Sequence, residues 1–131
     1  MNELDDRVLN KQGFSFLDMI GQDQWIAFTP VFGALTVVGA TNYTGRRRIV
    51  GKQLQFQVQF SAATSVESVA GTDYLTLPIA AKGLSGFGIM TNDTTNIAVG
   101  LCHLDVATSR CYLPTLVASG NVFNLYGSYE I

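Results

Sequence analysis

Residues 53–60 read Gln-Leu-Gln-Phe-Gln-Val-Gln-Phe. Leu54, Phe56, Val58 and Phe60 alternate with Gln53, Gln55, Gln57 and Gln59, a period of two held over eight residues. Successive side chains of a strand point to opposite faces, so this run puts apolar groups on one side and amides on the other. It predicts a strand over 52–61, the clearest in the chain. Upstream, residues 42–49 and the apolar run 35–38, closed by Gly39, read as two more strands. Downstream, residues 62–72 are small and polar and read as a loop. Short strands follow over 74–77, ended by Pro78, and over 86–90. Residues 92–96 form a turn. Residues 97–104 and 109–113 read as a hairpin around 105–108. Ser119, Gly120 and Asn121 turn the chain into a last strand over 122–131. About eight short strands at this spacing predict an all-β fold, a single β-sandwich of jelly-roll-like form.

The composition agrees. The chain has 131 residues, enough for one domain, and 47% of them are hydrophobic, enough for a core. Charged residues make up only 14%, against roughly 25% in typical soluble domains. A surface so poor in charge is better solvated when much of it is buried against other subunits. Net charge is −2, without the basic footprint of a nucleic-acid binder. Glu3, Asp5 and Asp6 make the N-terminus acidic where a secretory signal is basic. The longest apolar run, 25–38, is broken by Thr29, Pro30, Gly33 and Thr36 and is too short to span a bilayer.

The chain divides near residue 28, into an arm over 1–27 and a β-domain over 28–131. Asn2 caps an expected short helix reaching about Gln12, with Leu4 and Val8 on one face. A second turn is expected at Ser15 and Asp18. Phe14, Phe16, Leu17, Met19, Ile20 and Trp25 cluster in this arm. Ordering it costs roughly 1–2 kcal/mol per residue, more than its own burial readily returns, so a partner subunit or shell surface is expected to dock on it.

His103, Asp105 and Ser109 invite a catalytic-triad reading, but no oxyanion hole or nucleophile elbow accompanies them, and an ordinary strand or interface histidine is expected. Two carboxylates at a set separation would be needed for glycan hydrolysis, yet five of the ten acidic residues precede residue 24. No catalytic, cofactor or metal site is expected. Cys102 and Cys111 are expected to be direct cross-strand partners and a reduced, buried pair. A bridge between them would be strained, since opposed Cβ atoms lie about 4.5–5.5 Å apart. His103 points to the opposite face from Cys102. Asn92-Asp93-Thr94 fits the glycosylation acceptor pattern but reads as a turn.

Arg46, Arg47 and Arg48 form the one basic cluster. On a strand they alternate, so all three cannot face one partner. A charged edge that blocks unwanted strand pairing is one reading; ion pairing of Arg46 and Arg48 with an acidic neighbour is the other. The row Gln55, Gln57 and Gln59, with Gln53, is uncharged. It serves either as a solvated face or as a subunit interface, where amides bond to one another without desolvating a charge.

From Phe28 onward, the stretches Phe28-Thr-Pro-Val-Phe32, Leu35-Thr-Val-Val-Gly39, Asn42-Tyr-Thr-Gly45, Val50-Gly-Lys52, Arg110-Cys-Tyr-Leu-Pro-Thr115 and Tyr126-Gly-Ser-Tyr-Glu-Ile131 occur in order. In this order the chain resembles a β-domain found at or near the C-termini of many bacteriophage tail-fibre and other virion proteins. The resemblance implies a small β-sandwich, commonly trimeric, that acts as an adhesion tip or surface knob and carries no catalytic residues. A fibre tip follows a long shaft, whereas this domain follows a short arm. The expectation is therefore a trimeric capsid decoration (cement) protein in the virion, assembled in the host cytoplasm, whose partners are its own copies and the major capsid protein or another virion protein. A tail-fibre or receptor-binding tip is the alternative. No cofactor, nucleic acid or membrane enters either reading.

Overall fold

The computed structural model describes residues 24–82 and 86–131. The helices expected in the arm, and Phe14, Phe16, Leu17, Met19 and Ile20, lie outside the described residues. Among those described there is no helix, and twelve strands account for most of these residues. They are β1 (Ile26–Phe28), β2 (Phe32–Gly33), β3 (Thr36–Val38), β4 (Thr41–Val50), β5 (Gln53–Ala62), β6 (Ser65–Ser68), β7 (Tyr74–Thr76), β8 (Gly86–Asn92), β9 (Ile97–Asp105), β10 (Arg110–Tyr112), β11 (Leu116–Ser119) and β12 (Val122–Glu130). The fold is all-β and sandwich-like. A nine-stranded antiparallel sheet runs β1-β4-β5-β12-β8-β9-β10-β7-β2, and a three-stranded sheet runs β11-β6-β3.

The alternation in β5 is the organising feature. Leu54, Phe56, Val58 and Phe60 are buried. They meet Phe123, Leu125 and Tyr129 of the neighbouring β12, whose register pairs Phe123 with Phe60 and Leu125 with Val58. The large sheet curls over this layer. β2, at the far end of the strand order, lays Phe32 against Tyr43 of β4 and Phe60 of β5, with ring centroids 5.5 and 5.0 Å apart. The short sheet adds Val66 and, less deeply, Val37 and Ala118 to the same core. A polar contact also ties into it: the buried Tyr129 hydroxyl donates to the Ile79 carbonyl at 2.6 Å and accepts from the Ile79 N–H at 3.1 Å.

Four details differ from the sequence reading. Residues 65–68, expected within a loop, form β6, because pairing with β11 and β3 supplies the hydrogen bonds and Val66 turns into the core. β1, β2 and β11 had no sequence signal, being two to four residues long. β4 is paired over Gly45–Arg47 by β1 on one side and over its whole length by β5 on the other, so Arg46 and Arg47 do not guard an open strand, while Arg48 lies beyond the β1 pairing. Finally, Cys111 pairs with Leu104, not with Cys102. The hairpin closes two residues out of the expected register, with Asp105 accepting from the Ala107 N–H and the Thr108 hydroxyl. The two cysteines become diagonal neighbours on one buried face. Both are free thiols, close enough for a hydrogen bond between them.

Candidate functional site: the outer face of the large sheet

The face of β5 opposite the core carries the glutamines, and the register says what stands beside each. Gln55 lies between Arg48 and Ser128, Gln57 between Arg46 and Tyr126, and Gln59 between Thr44 and Asn124. Beyond β12, Tyr126 pairs with Ile89 of β8, and Ile89 with Leu101 of β9. One sheet face thus runs from a cationic end through amides to an apolar end.

At the cationic end Trp25 packs beneath two guanidinium groups, with Arg46 at 4.5 Å and Arg48 at 4.7 Å from the ring centroid. Such stacking favours arginine over lysine. Arg46 also donates Nε–H to Gln57 Oε1 at 2.8 Å and bonds the same oxygen through Nη2. Arg48 Nε donates to Gln55 Oε1 at 2.6 Å. These four side chains therefore brace one another within a single chain. Arg47 faces the other way and reaches the Pro78 carbonyl at 3.4 Å, as strand alternation requires. The structure brings Trp25, Arg46, Arg48, Gln55, Gln57 and Gln59 onto one surface.

The apolar end was not anticipated. Phe87 is 57% exposed, Ile89 37%, Leu101 77% and Tyr126 40%. Three of these occupy one cross-strand row, and Phe87 sits two residues from Ile89 on the same face. His103, exposed on the same side of β9 as Leu101, stacks on Tyr112 with centroids 6.4 Å apart. Leu101, His103, Tyr112 and Pro114 border a shallow groove there. His103 does not join Asp105 and Ser109 in a triad. The Asp105 carboxylate holds its turn, and the Ser109 hydroxyl accepts from the Ala81 N–H at 3.2 Å.

Between the two ends lies a depression lined by Thr44, Gly45, Arg46, Gln57, Gln59 and Asn124. Asn124 is only 2% exposed. Its Nδ2 donates to the Asp93 carboxylate, which also accepts from the Thr91 hydroxyl at 3.2 Å. Asp93 stands in the turn expected over 92–96, where Asn92 Oδ1 accepts from the N–H groups of Thr94 and Thr95. The Asn124 Oδ1 has no hydrogen-bond partner in the protein. The sequence held a partial signal for this region. The alternation of β12 sets Asn124 and Tyr126 opposite Phe123 and Leu125, and a tyrosine on a polar face stands out. That they adjoin Gln57 and Gln59 was not visible.

Among the described residues no three His, Cys, Asp or Glu side chains converge, and no helix is long and apolar enough to cross a membrane. No family model, curated protein or solved structure matches the chain.

Proposed function

We propose that this chain is a non-enzymatic structural protein of a bacteriophage particle. It assembles as a homotrimer and decorates the capsid, where it clamps neighbouring copies of the major capsid protein. The observation that supports this reading best is the row Tyr126, Ile89 and Leu101 with Phe87 beside it. Contiguous exposed apolar side chains of this size mark interaction sites on soluble proteins. The row has the composition of an interface centre: aromatic and aliphatic groups, no Lys or Glu among them, and arginines and amides at its margin. A second copy of the chain is its occupant, because a surface with 14% charged residues gains most by covering its apolar face with its own kind. The resemblance to virion β-domains, commonly trimeric, supports the same assembly. A receptor-binding tip on a tail fibre is the second reading, favoured by the polar depression around Asn124.

Two measurements test the proposal. Light scattering on the purified chain should give the mass of a trimer at micromolar concentration. Electron microscopy of intact particles should place it on the shell. A stable monomer in solution and on the particle would overturn the assembly reading, and density at the tail instead of the shell would favour the fibre tip.

A further inference from the structure

The depression around Asn124 has the features of a ligand site. Its walls come from three adjacent strands: Thr44, Gln59 and Asn124 form one cross-strand row, and Arg46 and Gln57 lie in the next. Strand spacing of about 4.8 Å and a rise of about 3.4 Å per residue make this array about 10 Å by 7 Å, room for one or two sugar rings. The Asp93 carboxylate fixes the Asn124 amide by taking its N–H, which leaves a buried carbonyl oxygen with no donor. Such groups are normally satisfied by protein, water or ligand. A ligand hydroxyl is the donor that fits, because it can give one hydrogen bond to Oδ1 and accept another from a neighbouring amide. Gln57 is held with its Oε1 on Arg46, so its Nε2 is turned out as a donor. Gln59 and Thr44 are exposed and supply further donors and acceptors.

The charges select against ions. Arg46 stands at one end of the array and Asp93, bonded to Asn124, at the other. An anion is repelled by the second and a cation by the first, while a neutral polyol can use both. We propose that this depression binds a neutral glycan, with Asn124 Oδ1, Gln57, Gln59 and Arg46 bonding its hydroxyls. This inference does not depend on where on a particle the chain resides.

The test uses the full chain on an array of neutral oligosaccharides ending in glucose, galactose or N-acetylglucosamine. Hits are followed by nuclear magnetic resonance titration of the side-chain amides. The expected result is binding by at least one oligosaccharide, with shifts confined to the amides of Gln57, Gln59 and Asn124. Gln59→Ala, at an exposed position that should leave folding intact, is expected to weaken binding about tenfold, the loss of one or two hydrogen bonds. Val117→Ser, on the exposed side of the small sheet, should leave it unchanged. The proposal is overturned if no oligosaccharide on the array shifts these amides at millimolar concentration, or if Gln59→Ala binds as the parent does. It is equally overturned if the amides respond to protein concentration alone, because a second copy then fills the depression. Oligomeric mass is read separately, so loss of the assembly reading and loss of the glycan site are distinguishable.

Discussion

Tyr129 shows how one residue ties burial to chemistry. Its hydroxyl makes two hydrogen bonds with Ile79. Tyr129→Phe leaves both Ile79 groups without that partner and is expected to cost about 1–3 kcal/mol, read as a lower denaturant midpoint. Burial pushes the Tyr129 hydroxyl well above the usual tyrosine range, against the opposing pull of the Ile79 hydrogen bond and nearby Arg47. An acid whose folded pKa is raised stabilises the fold fully below its unfolded pKa, near 10 for tyrosine, and loses that stability as pH climbs towards the folded value. The parent should therefore weaken above about pH 10, and Tyr129→Phe should flatten that limb of the curve. Cys111, hydrogen-bonded to Cys102 and buried, is likewise pushed well up, so its own decline begins lower, near the free thiol value of about 8.5. Equal alkaline slopes in parent and Tyr129→Phe would contradict the assignment. Ala34 carries strain of another kind, at φ 62°. The left-handed region costs a residue with a Cβ about 1–2 kcal/mol, and glycine returns about 0.5–1 kcal/mol of that as lost chain entropy. Ala34→Gly should leave a net gain of about 0.5 kcal/mol, seen as a higher melting temperature.

At the scale of elements, the pairing of β12 with β5 carries the fold. It runs over nine consecutive residue pairs, from Val122 with Ser61 to Glu130 with Gln53. Gly127 sits opposite Phe56 in that register, and an added Cβ would overlap the edge of the Phe56 ring and crowd the Phe87 carbonyl oxygen at 2.8 Å. The glycine is what allows a phenylalanine at the centre of the inner face. Gly127→Ala should displace the ring and cost about 1–3 kcal/mol through overpacking. The midpoint in urea should fall while its slope stays constant, and an unchanged midpoint would show that the ring has room to move. β5 was legible because its alternation is long and pure. β6 was not, since Ser65, Glu67 and Ser68 carry no β-branched or aromatic signal and the strand is held by its partners.

For the whole molecule, the outer face of the large sheet decides how the chain meets others. Leu101 is 77% exposed and lies at the end of the row through Ile89 and Tyr126. Leu101→Glu puts a charge into that row without touching the core. If the row is the subunit interface, the variant should dissociate to monomers, because a carboxylate buried without a partner is strongly disfavoured. Its melting temperature at low concentration should match the parent's. Light scattering that finds the parent's mass in the variant would remove this face from the assembly.

The sequence alone determined the fold class, the longest strand and the face each of its side chains takes, because a period of two is a local property of consecutive residues. It likewise determined that Arg46 and Arg48 point one way and Arg47 the other. It did not determine which strand lies beside which. Gln59 and Asn124 are 65 positions apart and become neighbours only through the β5–β12 register, and Ile89 reaches Tyr126 only because β8 follows β12 in the sheet. Pairing between distant segments rests on how whole faces pack, and no short window of sequence records it. The same holds for the cysteines, where a shift of two residues in the hairpin leaves every side chain on its expected face and still changes its partner. Tertiary structure, by choosing partners for faces the sequence had already set, made one surface out of a tryptophan, two arginines, a glutamine row, an unsatisfied asparagine and an exposed apolar row.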